Sequence, residues 1–556
     1  MKNMRYILGG AALIGLPLTL QAQEQTQDTT LVRTVVVEQE YNPDIMDASK
    51  INVLPQIEVP VVTKKAVEYN ETLMPATQIP ATTMQPYTGI ETLAKAKGGY
   101  ARLGYGNYNN LDLLANYLFT LSDNDRLNLH LDMDGMNGKL DIIDITNNEN
   151  KKWKSRYYRT RAGIDYQHRF RSLDLNLGGH FGLSNFNFMP EWDANKQKFT
   201  SGDVHLGFKN HNKDLPLDYA VETNLLLYQR QYDPAAENTG ESMIRTKAEV
   251  SGNISDEQLI HIAFNMDNAF YQKAKFENCT SIGLNPSYQF QNDDWKLKLG
   301  AHVDFAIGFG KEVRVAPDVQ IQYNFSDSYL LYVQGTGGKR QNDFRQLESY
   351  NPYGLLQNQL DATYEQLNTA IGFKASPIND LWFHLYAGYQ DLKDDLFLVP
   401  DFITGGSSPQ TRLLLGQADA RNVYAGGEIT YSYKQLFGFN ASAVYRNWNT
   451  PSNENATYTE SIILGFKPAL EANVRIDVSP LSALRLSLGY QHIERSKVEG
   501  ERADAVSNLY LSANYEVFEN IVIYARLNNL LNKDYQYYEG CPAQGINFLG
   551  GVSFRF

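Results

Sequence analysis

Nine histidines and two cysteines are the residues here whose types could hold a metal or act as nucleophiles. Six of the histidines (His130, His180, His205, His261, His302 and His384) fall on the polar side of segments whose alternate residues are apolar. Imidazoles on one wall could bind a borderline divalent cation, but no two of these share ligand spacing within a segment. Histidine is also an ordinary polar filler for a wet wall, and that reading is adopted, with no metal site expected. Asp132-Met133-Asp134-Gly135 opens like a calcium loop, yet it sits at a strand end and lacks the later ligands. Cys279 and Cys541 fall in different loops far apart around the wall, so the tight distance limits of a disulfide argue against a bond between them. The sequence contains no G-x-S-x-G, no H-E-x-x-H, no phosphate loop and no paired C-x-x-C. No catalytic residue, no cofactor and no enzymatic activity are expected.

Two loop segments are unusually apolar. Residues 392–419 combine Phe397, Leu398, Val399, Phe402 and Ile403 with Leu413-Leu414-Leu415, and residues 339–365 hold Tyr350, Pro352 and Tyr353. So many apolar loop residues pack on something: a ligand, a partner or the molecule's own mouth, the last being preferred. Tyr350, Tyr353, Phe397 and Phe402 are the candidate loop contact site.

The elements that must position these groups are strands. Leu127, Leu129, Leu131 and Met133 alternate with Asn128, His130, Asp132 and Asp134. The same period of two recurs from Trp295 to Phe305 and from Leu484 to Gln491, where Leu486 and Leu488 oppose Ser487 and Gln491. Composition agrees: 36 Tyr, 41 Gly and only 20% charged residues suit a wall with aromatic rims. Mean hydropathy of -0.41 and a net charge of -13 look soluble, but only alternate residues of a membrane strand need be apolar. The acidic balance gives no reason to expect a nucleic-acid partner. Links between strands alternate in length: short ones such as 122–125, 171–172, 292–294 and 516–520 interleave with long ones such as 339–365, 392–419 and 531–545. That asymmetry predicts an all-β fold, a transmembrane antiparallel up-and-down β-barrel of about 22 strands, with short periplasmic turns and long outer loops. Its surroundings would be outer-membrane lipids.

The N-terminus reads differently. Residues 1–22 form an export signal, with basic Lys2 and Arg5, an apolar run from Ile7 to Leu20, and Ala22 before the polar stretch. Residues 23–97 carry prolines at 43, 55, 60, 75, 80 and 86, which break helix and central strand alike. They are expected to form an extended periplasmic or lumenal arm, leaving residues 98–556 for the barrel.

The C-terminus carries a family resemblance. IYARLNNLLNKDYQYYEG at 523–540, then INFLGGVSFRF at 546–556, resembles the last two strands of TonB-dependent outer-membrane receptors. Ile546, Phe548, Val552, Phe554 and Phe556 share one face of the closing strand, against Asn547, Gly551, Ser553 and Arg555. The resemblance implies that Phe548, Val552, Phe554 and Phe556 are the signal read by the barrel-insertion machinery. It further implies nutrient or solute transport, and an energy-coupling periplasmic protein that would meet Thr34, Val35, Val36 and Val37. The chain departs from the family before the barrel, because 23–97 is too short and too rich in proline for a folded plug. The alternative is a non-transporting barrel subunit that binds another outer-membrane subunit through its arm or outer loops.

Overall fold

The computed structural model describes residues 97–143, 150–188, 196–212, 215–403, 410–451, 458–500, 502–539 and 541–556. The signal at 1–22, the arm up to residue 96 and its Thr34–Val37 segment lie outside them.

One closed antiparallel sheet of 22 strands forms the body of the described chain. The strands are Gly99–Gly106 (β1), Leu111–Thr120 (β2), Asp125–Ile143 (β3), Asn150–Arg169 (β4), Leu173–Phe186 (β5) and Gln197–Asn210 (β6). Next come Leu217–Arg230 (β7), Thr239–Ser255 (β8), Gln258–Gln272 (β9), Cys279–Gln291 (β10), Trp295–Ile307 (β11) and Val313–Ser326 (β12). Tyr329–Arg340 (β13), Thr363–Ile378 (β14), Leu381–Ile403 (β15), Gln410–Tyr433 (β16) and Phe437–Asn449 (β17) follow. Pro468–Leu481 (β18), Leu484–Arg495 (β19), Val506–Phe518 (β20), Ile521–Asn528 (β21) and Asn547–Arg555 (β22) complete the wall. Each strand pairs with the next, and β1 pairs antiparallel with β22 from Tyr100↔Arg555 to Gly106↔Leu549, so the sheet has no free edge. No described helix is long and apolar enough to cross a membrane, which leaves strands to do so.

The alternation sorts as a lipid-facing barrel requires. Leu131, Ile164, Phe181, Val204 and Leu299 point outward and are exposed, while their chain neighbours face the lumen among polar groups. Aromatics crowd the rim at the short turns, where Trp295, Tyr323, Phe325 and Phe518 are exposed and Phe325 stacks 5.6 Å from Tyr329. This is the girdle of a membrane–water interface.

Long strands account for part of what looked like loops. β15 and β16 run on as a paired hairpin from Leu381↔Tyr431 out to Ile403↔Gln410, through most of the 392–419 segment. The register slips between Leu392 and Asp395, and Asp394 there takes a positive φ of 53°. Such a bulge re-aims a strand, and it marks where the hairpin leaves the wall.

Candidate functional site

The largest cluster of buried apolar residues gathers at the outer end. Between β13 and β14 the chain forms a short helix, Phe344–Tyr350 (α1), capped by Asp343, whose carboxylate accepts from the Gln346 amide at 2.8 Å. Residues 351–362 then run on without regular structure, and Leu355 is 1% exposed. Phe344 and Leu347 of α1 pack in one cluster with Phe186, Phe199 and Tyr228, at the outer ends of β5, β6 and β7. The same cluster holds Leu396, Leu398, Leu413 and Leu415 of the β15–β16 hairpin. In a ring of 22, β5 and β16 stand eleven strands apart, half the circumference. The 341–362 segment therefore crosses the outer mouth and is packed on both sides, making a cap.

Backbone and charge hold the cap as well as apolar burial. Leu355 pairs with the outer part of β16, which extends past the end of β17, its amide donating to Leu413 O at 2.8 Å and its carbonyl accepting from the Leu415 amide at 2.9 Å. Tyr228 donates to Glu348, and Arg345 of α1 reaches down to Asp203 on β6 at 2.6 Å. Arg230 and Asp233 form a fully buried pair at 2.8 Å, their side chains 0% exposed. Arg230 also donates to Gly354 O at 2.7 Å, and Asp233 accepts from the Leu356 amide at 2.8 Å. The pair thus satisfies two backbone groups that the cap would otherwise bury unpaired. Burial pushes the Asp233 carboxyl up, against the pull of Arg230. The sequence analysis missed this pair; an arginine closing β7 three residues before an aspartate was its only trace.

Three of the four candidate contact residues lie in this region. Tyr353 is buried, its ring 4.8 Å from Phe186 and 6.0 Å from Tyr538. Tyr350 donates to Leu396 O at 2.9 Å, and burial pushes its phenol far above the usual range. Phe397 faces the other side of the hairpin, in a separate cluster with Ile463 and Leu464 of a second short helix, Glu460–Leu464 (α2). The β15–β16 hairpin thus packs against the cap through Leu396, Leu398 and Leu413 to Leu415, and against α2 through Phe397, which is why the segment reads as continuously apolar. The side chain of Phe402 lies outside the described residues.

At the seam, Phe548, Phe554 and Phe556 are exposed outward, Val552 is half-buried, and Asn547 and Ser553 are buried inward. Phe556 pairs with Gly99 through both backbone bonds, at 2.8 and 3.0 Å. Gly106 is needed there, since a Cβ would lie 1.8 Å from the Phe548 carbonyl oxygen. In the motif before it, Asn529 is fully buried; its amide nitrogen donates to Lys533 O and Gln544 O, each at 2.9 Å. It braces a turn that leads to a small hairpin, Gln536–Tyr538 with Cys541–Pro542, beside the cap. Cys279 and Cys541 are both free thiols.

Below the cap, the lumenal wall draws together residues that the sequence kept apart. His130, His180 and His205 come from β3, β5 and β6, and with Asp165 of β4 and Asp203 of β6 they make two overlapping groups of candidate metal ligands. His302 and His384 stand elsewhere, His302 beside Asn285 at 3.2 Å and His384 hydrogen-bonded with Tyr332 at 2.9 Å. Strand register, which single-strand spacing does not contain, makes the difference.

No family model matches the sequence, and no curated protein matches it. Solved structures do match. The chain is similar to the FrpB iron transporter from Neisseria meningitidis (F3-3 variant), with a TM-score of 0.65 and 12% identity over 84% of this chain and 82% of that one. It is similar to the copper transporter OprC, with a TM-score of 0.60 and 14% identity over 83% of each chain. A mutant of the ferric enterobactin receptor PfeA from Pseudomonas aeruginosa, in complex with enterobactin, gives a TM-score of 0.63 and 12% identity over 82% of this chain and 81% of that one. By their names these neighbours are two transporters and a receptor. The chain has the fold of that outer-membrane receptor barrel, as its C-terminal residues implied.

Proposed function

We propose that this chain takes part in moving a nutrient or solute across the outer membrane, through a receptor-type barrel shut at its outer mouth by its own loops. The carrying observation is the cap: the 341–362 segment crosses a polar lumen and is buried against both β5–β7 and β15–β16. A barrel of this width needs something in its lumen or mouth, because 22 strands enclose more space than wall side chains fill. In this reading residues 1–22 are removed on export and residues 23–97 are an extended arm standing in place of a folded plug. Thr34–Val37 are then the segment offered to an energy-coupling periplasmic protein. The outward phenylalanines of β22 address the chain to the barrel-insertion machinery.

A second reading, a non-transporting barrel subunit, draws support from the dryness of the cap. Leu347, Leu355 and Leu356 are almost wholly buried, and such a core opens less readily than a wet loop.

Conductance separates the two. Arg340 and Thr363 pair across β13 and β14, so a short Gly-Ser turn can replace 341–362 without stretching the wall. The intact protein should be quiet in planar bilayers, and the replaced one should show a large, steady conductance. An intact protein that already conducts would make the chain a porin. A replaced protein that stays sealed until residues 23–90 are also removed would assign closure to the arm. If both changes leave the barrel closed, and deletion of 23–90 also loses a stoichiometric partner from detergent-solubilised membrane, the subunit reading stands instead.

A further inference from the structure

We propose that the lumenal wall beneath the cap binds a divalent transition-metal cation through His130, Asp165, His180 and His205, with Asp203 orienting His180. This is a binding property of the wall and stands independently of the transport reading.

The site is built by register. His130, Gly163, His180 and Asp203 lie in one row across β3, β4, β5 and β6. The next row toward the periplasm is Asn128, Asp165, Gly178 and His205. Each row therefore has a glycine where its neighbours carry side chains, and the imidazoles lean over the gaps. A Cβ on Gly163 would meet His130 at 2.1 Å and His180 at 2.4 Å, and one on Gly178 would meet His205 at 2.2 Å and Asp165 at 2.6 Å. The glycines let three rings from three strands converge on one carboxylate.

The distances suit a cation at the centre. Asp165 lies 3.1 Å from His180 Nε2, 3.7 Å from His130 Nδ1 and 3.9 Å from His205 Nε2. Ligands about 2.1 Å from a tetrahedral metal are separated by about 3.4 Å; His130, Asp165 and His180 have ligand atoms within 4.8 Å of one another, and so do His180, Asp203 and His205. Asp165 and the three rings are partly exposed to the lumen, so an ion can reach them. Three imidazoles and one carboxylate suit a borderline cation such as zinc, nickel or copper rather than calcium or magnesium.

The surroundings supply the orienting group. His180 Nδ1–H donates to Asp203 at 2.8 Å, which turns the Nε2 lone pair toward Asp165. Nε2 then stands 3.1 Å from Asp165, the gap that a shared cation would bridge. Asp203 is 4% exposed and is also held by Arg345 of α1 at 2.6 Å. A cation on His180 is thus connected to the cap through two charge-assisted bonds.

The test uses the full-length protein, purified in detergent, freed of metal with a chelator and titrated calorimetrically with zinc alone. One zinc per chain should bind in the micromolar range or tighter. His180→Gln and Asp165→Asn should each weaken binding at least tenfold, while His261→Gln, a lumenal histidine on β9, should leave it unchanged. Heat-modifiable gel mobility reports that each variant is folded, and His205→Gln serves if either fails. Copper should bind more tightly than zinc to the same residues. Absence of zinc binding by the wild type would overturn the proposal. Binding that His180→Gln and Asp165→Asn leave intact would overturn it equally.

Discussion

At the scale of single residues, the cap depends on groups buried where water cannot satisfy them. Arg230→Ala leaves Asp233 buried without its counter-charge and strips Gly354 of its donor. Breaking one side of such a pair costs about 3–5 kcal/mol, whereas replacing both sides with apolar residues costs much less. Hydrogen exchange at 353–357 should rise sharply in Arg230→Ala and recover in part in Arg230→Met with Asp233→Leu; equal exchange in all three forms would remove the pair from the cap. Glu539 behaves in the opposite sense. Burial pushes its carboxyl from 4.5 up to about 7, with Arg495 pulling back. The folded loop therefore holds this proton more tightly than the unfolded chain. Its stability is full below about pH 4.5 and is lost as the pH rises through about 7. Glu539→Gln should remove that pH dependence and make 535–542 more stable above pH 7 by about 2–3 kcal/mol. Identical exchange profiles for wild type and variant across that range would rule this out.

At the scale of elements, a strand's two faces should answer a charge differently. On β19, Leu488 is exposed toward lipid, and Leu488→Arg should cost about 2–4 kcal/mol near the midplane. Ser487 faces the lumen beside Asp477, to which it donates, so Ser487→Arg should be close to neutral. From alternation alone Gln491→Arg should be as mild as Ser487→Arg, and the structure corrects this. Gln491 is buried and accepts from Tyr537 at 2.9 Å, under the small hairpin of the last outer loop. Its replacement by arginine should be disruptive, as read from urea midpoints followed by gel mobility. The order expected is Leu488 and Gln491 sensitive, Ser487 tolerant.

At the scale of the whole molecule, closure of the ring rests on one seam. β22 pairs with both β21 and β1, and Phe556 ties the last residue to Gly99. Deleting Phe554 to Phe556 removes three outer or seam side chains together with both Gly99 bonds. The truncated chain should fail to assemble, appearing as degraded or periplasmic material without heat-modifiable mobility. Normal insertion of that truncation would separate the outward phenylalanines from any role as an assembly signal.

The barrel itself was legible residue by residue. A period of two needs only local sequence, and the alternation of short and long links gave 22 strands, the number observed. The outward face of β22 followed from the same parity. What sequence could not contain was anything that depends on which strands are neighbours and at what offset. His130, His180 and His205 share no spacing along the chain, yet register sets two of them in one row and the third in the next. The cap is of the same kind. Its apolar residues were visible as a composition, but that they cross the mouth depends on contacts between strands eleven places apart. Periodicity is a one-dimensional property and survives in the sequence; convergence is made by closing the ring, and only the tertiary structure carries it.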